Sequence, residues 1–417
     1  MIIACGQMEA TTIDGAADVW PAVDRLAALA RRARADLLVL PETTYPAYWL
    51  DSRERYLRDD VERSAAVLER FGRFAAQGGF WVVAGFVEEA DGRIYNAAAV
   101  FDRSGGLVGV ARKHFLWDCD HRWFSAGDEI RGFDTEFGRM GVLICADARV
   151  PEIVATLAAD GAEFAVEPTA WVNTSGVRRV YRNIQPDFLI RCRAREFGIP
   201  FACASKAGRE GSVLEYVGQS QIVDAGGNDL ARAPEGGEHL VLAEVAPCQP
   251  VTRPISAEHR GRILSEQTPF VAGARSTPCS VSTSAGAAAV HASIRAAGGR
   301  TLMMESGELE SFAPLRCAAL DGVQAAIVRS RSPREDLLRA RAAENRIFLL
   351  VVDDAMIMAV NPNGAIIRRR SDGREFVEID LSEADVKQFT PETRIWGQRR
   401  PSCYRLSPAA EPAARRR

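Results

Sequence analysis

The stretch Gly141-Val-Leu-Ile-Cys145-Ala-Asp-Ala-Arg149-Val-Pro-Glu152 begins as an apolar run and changes character at the cysteine. The run predicts a strand that is buried on both faces and that Cys145 closes. In open α/β sheets, ligand sites collect at the carboxyl ends of the strands. A cysteine after a strand is nevertheless more often a small core residue, so Cys145 alone decides nothing.

Strands and helices alternate on both sides of this stretch. Upstream, residues 2–7 and 36–40 read as strands, and a helix with apolar residues at positions 19, 23, 26 and 30 lies between them. Downstream, a helix over 151–160 precedes a strand over 163–167. This alternation predicts the α/β fold class.

Two other predicted strands also end in polar residues. Glu42 follows the strand Leu37–Leu40, and Lys113 follows the strand over 107–111. A thiol must lose its proton to attack; a carboxylate can accept that proton, and an ammonium can stabilise the thiolate or an oxyanion. A lone Glu or Lys is more often a solvated surface residue, and no histidine is placed for cysteine–histidine catalysis. The residues alone therefore allow a thiol hydrolase without establishing one.

The amino-acid sequences of the segments around these residues are more informative than the three residue types alone. Leu-Leu-Val-Leu-Pro-Glu42, Arg-Lys113-His-Phe-Leu and the Cys145 stretch resemble the three signature segments of the nitrilase superfamily, the carbon–nitrogen hydrolases. They occur in the family's order, and the resemblance covers about residues 1–272. Two further segments are similar to the family: Glu167-Pro-Thr-Ala-Trp171 and Arg193-Ala-Arg-Glu-Phe-Gly-Ile.

The resemblance implies a four-layer α-β-β-α sandwich without a metal or an organic cofactor. It implies that Cys145 is the nucleophile, Glu42 the general base and later acid, and Lys113 the group that stabilises the oxyanion. The reaction would pass through a thioester acyl-enzyme that water hydrolyses to the acid. The expected partner is a small-molecule amide or nitrile.

Many family members carry a second acid after the lysine, and here Asp120 stands where a glutamate is commoner. Its side chain is one methylene shorter, so two interpretations stay open: a second acid of the site, or an aspartate that caps a loop. Two other positions depart from the usual pattern. Phe115 replaces a histidine that is usual after the lysine, and Ala146 stands where a larger residue is frequent.

The residues after the cysteine indicate a branch of the family. Cys145-Ala-Asp-Ala-Arg149 is more similar to amidases and carbamoyl-amide hydrolases than to true nitrilases, in which Trp-Glu commonly follows the cysteine. Arg149 either orients a substrate carboxylate or braces the Asp147 loop. Trp117 and Trp171 are candidates for binding the substrate, although such aromatic residues are often plain core.

The second half of the chain contains a partial repeat of the first. Gly138-Arg-Met-Gly-Val-Leu-Ile-Cys-Ala-Asp aligns with Gly299-Arg-Thr-Leu-Met-Met-Glu-Ser-Gly-Glu at an offset of 161, and Arg193-Ala-Arg-Glu aligns with Arg341-Ala-Ala-Glu. Ser306 takes the position of Cys145 in this alignment. Because the repeat has no counterpart of the Glu42 and Lys113 segments, we expect one active site per chain.

These features predict four parts of the chain: a catalytic domain (1–272), a Ser- and Ala-rich linker (273–289), a degenerate non-catalytic repeat (290–410) and a tail (411–417). We expect the repeat to pack against the catalytic domain as one subunit meets another in dimers of the family, which would make the chain an intramolecular pseudo-dimer. An ordinary homo-oligomer and chance similarity between two α/β stretches are the alternatives.

Composition limits the function classes. The net charge of −3 and the pI of about 6.1 do not indicate a nucleic-acid or membrane-surface partner. The sequence has no run of 18 apolar residues and no signal-peptide pattern at its start, so the expected location is cytoplasmic. The dispersed cysteines contain no C-x-x-C and do not predict a zinc site.

Three functions remain open from the sequence: an amidohydrolase acting on a small amide or carbamoyl compound, a nitrilase, and a non-catalytic scaffold that retains the fold. The intact set of Glu42, Lys113 and Cys145 argues against the scaffold.

Overall fold

The structure is a computed structural model that describes residues 1–173, 183–253, 255–267, 269, 278–390 and 392–406. The chain divides into two compact units. The first contains residues 1–252 and the segment that begins at Cys403, and the second contains residues 253–402.

The first unit combines two groups of strands with helices. Its strands are β1 (Ile2–Glu9), β2 (Leu37–Val39), β3 (Trp81–Ala90), β4 (Arg93–Phe101), β5 (Leu107–Arg112), β6 (Gly132–Thr135), β7 (Gly138–Val142), β8 (Phe164–Thr169), β9 (Phe201–Glu210), β10 (Leu214–Val217), β11 (Gln221–Val223), β12 (Asp229–Arg232) and β13 (His239–Glu244). Its helices are α1 (Val19–Arg32), α2 (Arg53–Tyr56), α3 (Ser64–Gly78), α4 (Asp120–Trp123), α5 (Pro151–Ala159) and α6 (Ile190–Phe197).

The strands form two halves, with the orders β5-β4-β3-β2-β1-β13 and β6-β7-β8-β9-β11-β12. The halves are joined where the end of β1 pairs with β9, and β2 and β3 of one half contact β8 of the other. Helices α1 and α3 pack on the first half, and α5 and α6 contact the second. The predicted α/β class is confirmed, and the layers follow the order helix, sheet, sheet, helix.

Burial explains why these residues form these elements. Every residue of β2 (Leu-Leu-Val) and of β8 (Phe-Ala-Val-Glu-Pro-Thr) is buried, as expected for strands covered on both faces. Helix α1 buries Val19, Val23, Leu26 and Ala30, which recur at helical spacing. The sheet therefore brings the ends of β2, β5 and β7, and the residues that follow them, into one region of this unit.

The second unit is smaller and also mixes helices and strands. Its strands are β14 (Pro278–Ser282), β15 (Thr301–Glu305), β16 (Ala325–Arg329), β17 (Phe348–Val352), β18 (Met356–Val360), β19 (Ile366–Arg369) and β20 (Phe376–Asp380). Its helices are α7 (Ala257–Leu264), α8 (Ala287–Ala296), α9 (Ala313–Leu320), α10 (Glu335–Asn345) and α11 (Ser382–Asp385).

The sheet of the second unit has the strand order β15-β16-β17-β18-β19, with two parallel and then two antiparallel pairings. The pairings of β7-β8-β9-β11-β12 follow the same sequence. β14 pairs antiparallel with β20, as β1 does with β13. One difference is large: only residues 297–300 separate α8 from β15, whereas residues 33–137 separate α1 from β7.

The structure places two boundaries differently from the sequence prediction. Part of the predicted linker over 273–289 is folded, because β14 and the start of α8 fall within it; residues 273–277 lie outside the described residues. The second unit also begins at Arg253, before the predicted end of the catalytic domain at 272. Helix α7 belongs to it and buries Ile263 completely. That the second unit is a degenerate repeat stays a prediction.

Within the described ranges, no helix combines the length and the apolar character that a bilayer crossing requires.

Candidate active site

Cys145 lies on a sharp turn that follows β7. The turn is a 3-10 helix over Cys145–Arg149, and the φ of Cys145 is 48°, in the left-handed region that non-glycine residues rarely adopt. The Asp147 carboxylate accepts a hydrogen bond from the Ile144 N–H (3.0 Å), and Gln185 Nε2 donates to the Cys145 carbonyl (2.8 Å). These contacts hold a strained backbone that places the buried cysteine at the end of its strand.

Glu42 is completely buried in the segment after β2. Its Oε1 accepts hydrogen bonds from Lys113 Nζ (2.6 Å) and Asn96 Nδ2 (2.7 Å). Its Oε2 is buried and receives no hydrogen bond from any described residue, so that oxygen has capacity to accept a proton. Strand β3 passes close by at Gly85, where a Cβ would lie 2.6 Å from the Glu42 Cα.

Lys113 follows β5 and is also completely buried. Its Nζ lies 2.6 Å from Glu42 Oε1 and 2.6 Å from Asp120 Oδ2, so two carboxylates share one ammonium. The same Asp120 oxygen accepts the Trp117 N–H (2.7 Å). The shorter side chain of aspartate thus reaches Lys113, as a second acid of the site would, and it also accepts a hydrogen bond from its own loop, as a loop-capping aspartate would. The contacts of Asp120 agree with both interpretations.

Burial and neighbouring charges set the protonation of this cluster. Burial raises the pKa of the Glu42 carboxyl, and the adjacent Lys113 opposes this only in part. Burial works to lower the pKa of Lys113, but Asp120 and Glu42 outweigh it and the pKa lies well above its usual value. Burial, followed by the charge of Glu42, raises the pKa of the Cys145 thiol well above its ordinary value. The resting cysteine is therefore a thiol beside a carboxylate whose proton affinity is raised.

Asp147 connects the cysteine turn to the lysine segment, a role that the sequence analysis missed. Besides the Ile144 N–H, its carboxylate accepts the backbone N–H groups of His114 (3.0 Å) and Phe115 (2.7 Å), the two residues after Lys113. Burial raises the pKa of Asp147 to about 6. An acid two residues after the cysteine was visible in the sequence, but its partners lie more than thirty positions away in the chain.

A second buried acid supports the cysteine through Gln185. Glu167 Oε1 accepts hydrogen bonds from Gln185 Nε2 (3.1 Å) and from Trp171 Nε1 (3.2 Å), and Gln185 in turn contacts the Cys145 carbonyl. Burial raises the pKa of Glu167 well above its usual range. The predicted substrate-binding residue Trp171 is thus completely buried and hydrogen-bonded to Glu167.

The structure gives Arg149 the contacts of a bracing residue. Its Nε donates to Gln185 Oε1 (2.9 Å), and its guanidinium lies 4.4 Å from the centre of the Trp117 ring. Arg149, Trp117 and Trp171 are all buried. Their roles in substrate binding stay predictions; residues 174–182, which follow Trp171 in the sequence, lie outside the described residues.

No group of three or more His, Cys, Asp or Glu side chains in the described part of the chain is arranged to hold a metal ion. The charged groups that act on Cys145 are the Glu42 carboxylate and the Lys113 ammonium, and Asp120 holds the same ammonium. This set can move a proton and stabilise a developing oxyanion.

Comparison with known proteins identifies the family of the chain. Residues 2–249 match the carbon–nitrogen hydrolase family. A hydrolase from Pseudomonas protegens is 32% identical over 220 residues, 52% of this chain and 74% of the relative. The omega-amidase NIT3 of Saccharomyces cerevisiae is 29% identical over 225 residues, 51% of this chain and 75% of the relative.

Solved structures show the same fold. A carbon–nitrogen hydrolase from Helicobacter pylori G27 matches with a TM-score of 0.53 at 23% identity, over 59% of this chain and 88% of the other. An amidase from Nesterenkonia sp. matches with a TM-score of 0.52 at 24% identity, over 60% of this chain and 91% of the other. Because the family match spans more than half of the residues, the chain belongs to the carbon–nitrogen hydrolases of the nitrilase superfamily, enzymes that hydrolyse carbon–nitrogen bonds other than peptide bonds.

Proposed function

We propose that the protein hydrolyses the amide bond of a small amide or carbamoyl compound through a thioester on Cys145. The observation that carries this proposal is the single Lys113 ammonium shared at 2.6 Å by Glu42 and Asp120, with the Cys145 thiol within the electrostatic reach of both Lys113 and Glu42.

In the acylation step, Glu42 accepts the proton of Cys145 as the sulfur attacks the amide carbonyl. The raised pKa of Glu42 favours this transfer, and Lys113 stabilises the negative charge that develops on the carbonyl oxygen. Glu42 then gives the proton to the departing nitrogen, and the carbon–nitrogen bond breaks. Asp120 keeps Lys113 protonated and oriented while Glu42 changes its charge.

In the deacylation step, Glu42 accepts a proton from water as the water oxygen attacks the thioester carbonyl. The carbon–sulfur bond breaks, Glu42 returns the proton to the sulfur, and the carboxylic acid leaves. No step requires a redox change, so the groups named here balance the reaction.

Amides are favoured over nitriles by the relatives named omega-amidases and by the segment after Cys145. The test is ammonia release from matched panels of amides, carbamoyl compounds and nitriles, with intact-mass detection of an acyl adduct. We expect turnover of an amide or carbamoyl compound and an adduct on Cys145. Cys145→Ala should abolish both, whereas Cys248→Ala, a partly exposed cysteine outside the site, should abolish neither.

Turnover of nitriles alone would replace this function with a nitrilase. No turnover, together with no covalent adduct from a thiol-directed electrophile, would support the non-catalytic scaffold. A cytoplasmic location remains a prediction from the sequence.

We also propose that the second unit replaces a partner subunit, so that the chain forms a pseudo-dimer. Light scattering should then give a particle near the 45.5 kDa of one chain. A symmetric dimer whose interface excludes the second unit would contradict this proposal.

A further inference from the structure

Thr169 is the last residue of β8, the strand next to β7, and the proposed chemistry does not use it. The two strands pair in parallel with Val142 opposite Val166, and the Leu143 N–H still donates to the Val166 carbonyl (3.2 Å). Three residues further along each segment, this register reaches Cys145 on one side and Thr169 on the other. Thr169 therefore lies at the same edge of the sheet as the cysteine turn, which β8 contacts.

The Thr169 side chain is completely buried in this position. Among the described residues, none forms a hydrogen bond with its Oγ1 in the resting structure. A buried hydroxyl without a hydrogen bond costs free energy, because it has lost its bonds to water. A valine of the same shape would avoid this cost, so packing alone does not explain a threonine here.

The Thr169 hydroxyl and the backbone after it are placed to donate to the sulfur of Cys145. Burial and then the charge of Glu42 raise the pKa of the Cys145 thiol. The Lys113 ammonium opposes this shift, and so do the Thr169 hydroxyl and the Ala170 N–H, because these donors favour the thiolate. The Thr169 carbonyl also accepts the Glu42 N–H (3.4 Å). Thr169 is thus next to both the residue that loses the proton and the residue that accepts it.

From this geometry we infer that Thr169 is a further catalytic residue, whose hydroxyl donates a hydrogen bond to the sulfur of Cys145 when that sulfur becomes negative. The inference rests on the proposed function and deepens it. In acylation, the thiol proton passes to Glu42, and the hydroxyl stabilises the charge that develops on sulfur. In deacylation, the sulfur leaves as a thiolate and accepts the same hydrogen bond until Glu42 returns the proton. The Thr169 proton stays on its oxygen throughout.

The test measures thiolate formation through the pH dependence of Cys145 alkylation by iodoacetamide, followed by mass spectrometry of the peptide that contains Cys145. Thr169→Val keeps the branched shape and removes the donor. We expect the pH midpoint of alkylation to rise by about one pH unit, and kcat/KM for the amide that the wild type hydrolyses fastest to fall about tenfold. Thr169→Ser keeps the hydroxyl and should recover most of both values.

Thr156→Val is a matched control, because Thr156 is also a completely buried threonine of the first unit. Its hydroxyl is already engaged: it donates to the Glu152 carbonyl (2.7 Å) and accepts the Arg405 N–H (3.0 Å). Loss of these bonds should lower the stability of the protein in urea and leave the pH midpoint of alkylation unchanged. Thr169→Val should show the opposite pattern, because it removes a hydroxyl that forms no hydrogen bond in the resting structure.

An unchanged pH midpoint and an unchanged kcat/KM in Thr169→Val would overturn the inference, and so would equal losses in Thr169→Val and Thr169→Ser. If Thr169→Val does not fold, the comparison uses Thr169→Ser and Thr169→Ala, which differ only by the hydroxyl. Identical alkylation profiles for these two variants would then reject the role of Thr169.

The outcomes also distinguish this inference from the proposed function. Amide hydrolysis by the wild type, with alkylation that does not depend on the Thr169 hydroxyl, would reject the role of Thr169 alone. Absence of any amide hydrolysis, with alkylation that does depend on this hydroxyl, would reject the proposed function and retain the hydrogen bond to the thiolate.

Discussion

The turn that carries Cys145 and the turn that carries Ser306 have closely similar frames and different surroundings. Each is a 3-10 helix after a parallel strand, and in each an acid accepts the N–H of the residue before the turn: Asp147 from Ile144 at 3.0 Å, and Glu308 from Glu305 at 2.8 Å. The same hydrogen bond to the backbone therefore holds both turns in shape, whether or not the turn carries a cysteine nucleophile.

The helices behind the two turns repeat a second contact. Arg193 Nε donates to the Ala148 carbonyl (2.9 Å) and pairs with Glu196, and Arg341 Nε donates to the Leu309 carbonyl (2.8 Å) and pairs with Glu344. Both arginines are completely buried. What differs is the chemistry: among the described residues, the buried lysine that is shared by two carboxylates, Glu42 and Asp120, belongs to the first unit.

The largest difference between the two turns should appear when the side chain of Cys145 or of Ser306 is replaced by that of alanine. Cys145→Ala should lower kcat at least about ten-thousand-fold, because no other group can form the thioester. Ser306→Ala should leave kcat unchanged, since the described part of the second unit has no counterpart of the Lys113–Glu42 pair. Steady-state ammonia release measures both, and a loss of activity in Ser306→Ala would contradict the claim of one site per chain.

Removal of the shared ammonium should have the next largest effect. Lys113→Met should lower kcat about a hundred- to a thousand-fold, since the oxyanion loses its donor and the Glu42 and Asp120 carboxylates face each other uncompensated. Lys387→Met is a control because Lys387 is a partly buried lysine that bonds to the Asn345 and Arg346 carbonyls in the second unit. Lys387→Met should lower the stability of the protein and leave kcat unchanged. A loss of kcat in Lys387→Met but not in Lys113→Met would contradict the assignment of the catalytic lysine to the first unit.

The two acids of the turns should differ in importance. Asp147→Asn places an amide where three backbone N–H groups converge, so we expect about 1–3 kcal/mol lower stability and a roughly tenfold lower kcat as the Lys113 segment shifts. Glu308→Gln, at an exposed position, should change stability by less than about 0.5 kcal/mol. Urea unfolding and initial rates check both variants, and equal effects would show that the Asp147 contacts to the lysine segment have no special role.

A smaller effect concerns pH. Because the pKa of Asp147 is raised from 3.8 to about 6, the folded state binds its proton more tightly than the unfolded state. This contribution stabilises the fold below pH 3.8 and is lost as pH rises to about 6, with a slope of at most about 1.4 kcal/mol per pH unit. The stability difference between wild type and Asp147→Asn, measured by urea unfolding from pH 4 to 7, should follow this slope. A flat difference would contradict it.

The sequence predicted those parts of the site that depend on local position. Glu42, Lys113 and Cys145 each follow an apolar strand, and the order of strands and helices is enough to bring such ends together. The role of Asp147 could not be assigned in this way, because its surroundings depend on the three-dimensional approach of segments far apart in the chain. The residue type alone does not show whether a lysine or an aspartate is buried or exposed.

The linker prediction differed from the structure for a related reason. The segment over 273–289 is rich in serine and alanine, a composition typical of linkers that also suits short packed elements. In β14 only Cys279 and Val281 are buried, and α8 buries only Val290 and Ile294. Patterns of two apolar residues are too short to distinguish from chance in a window of this size.

The short connection between α8 and β15 has a consequence for recovering activity in the second unit. Glu42, Asn96, Lys113 and Asp120 all lie on residues 33–137 of the first unit, and only residues 297–300 occupy the equivalent interval in the second. A Ser306→Cys substitution would therefore supply a thiol without counterparts of the Glu42 base and the Lys113 ammonium. Function at this turn could be regained only by inserting a whole group of strands, so a single-residue change in the second unit cannot give the chain a second enzyme.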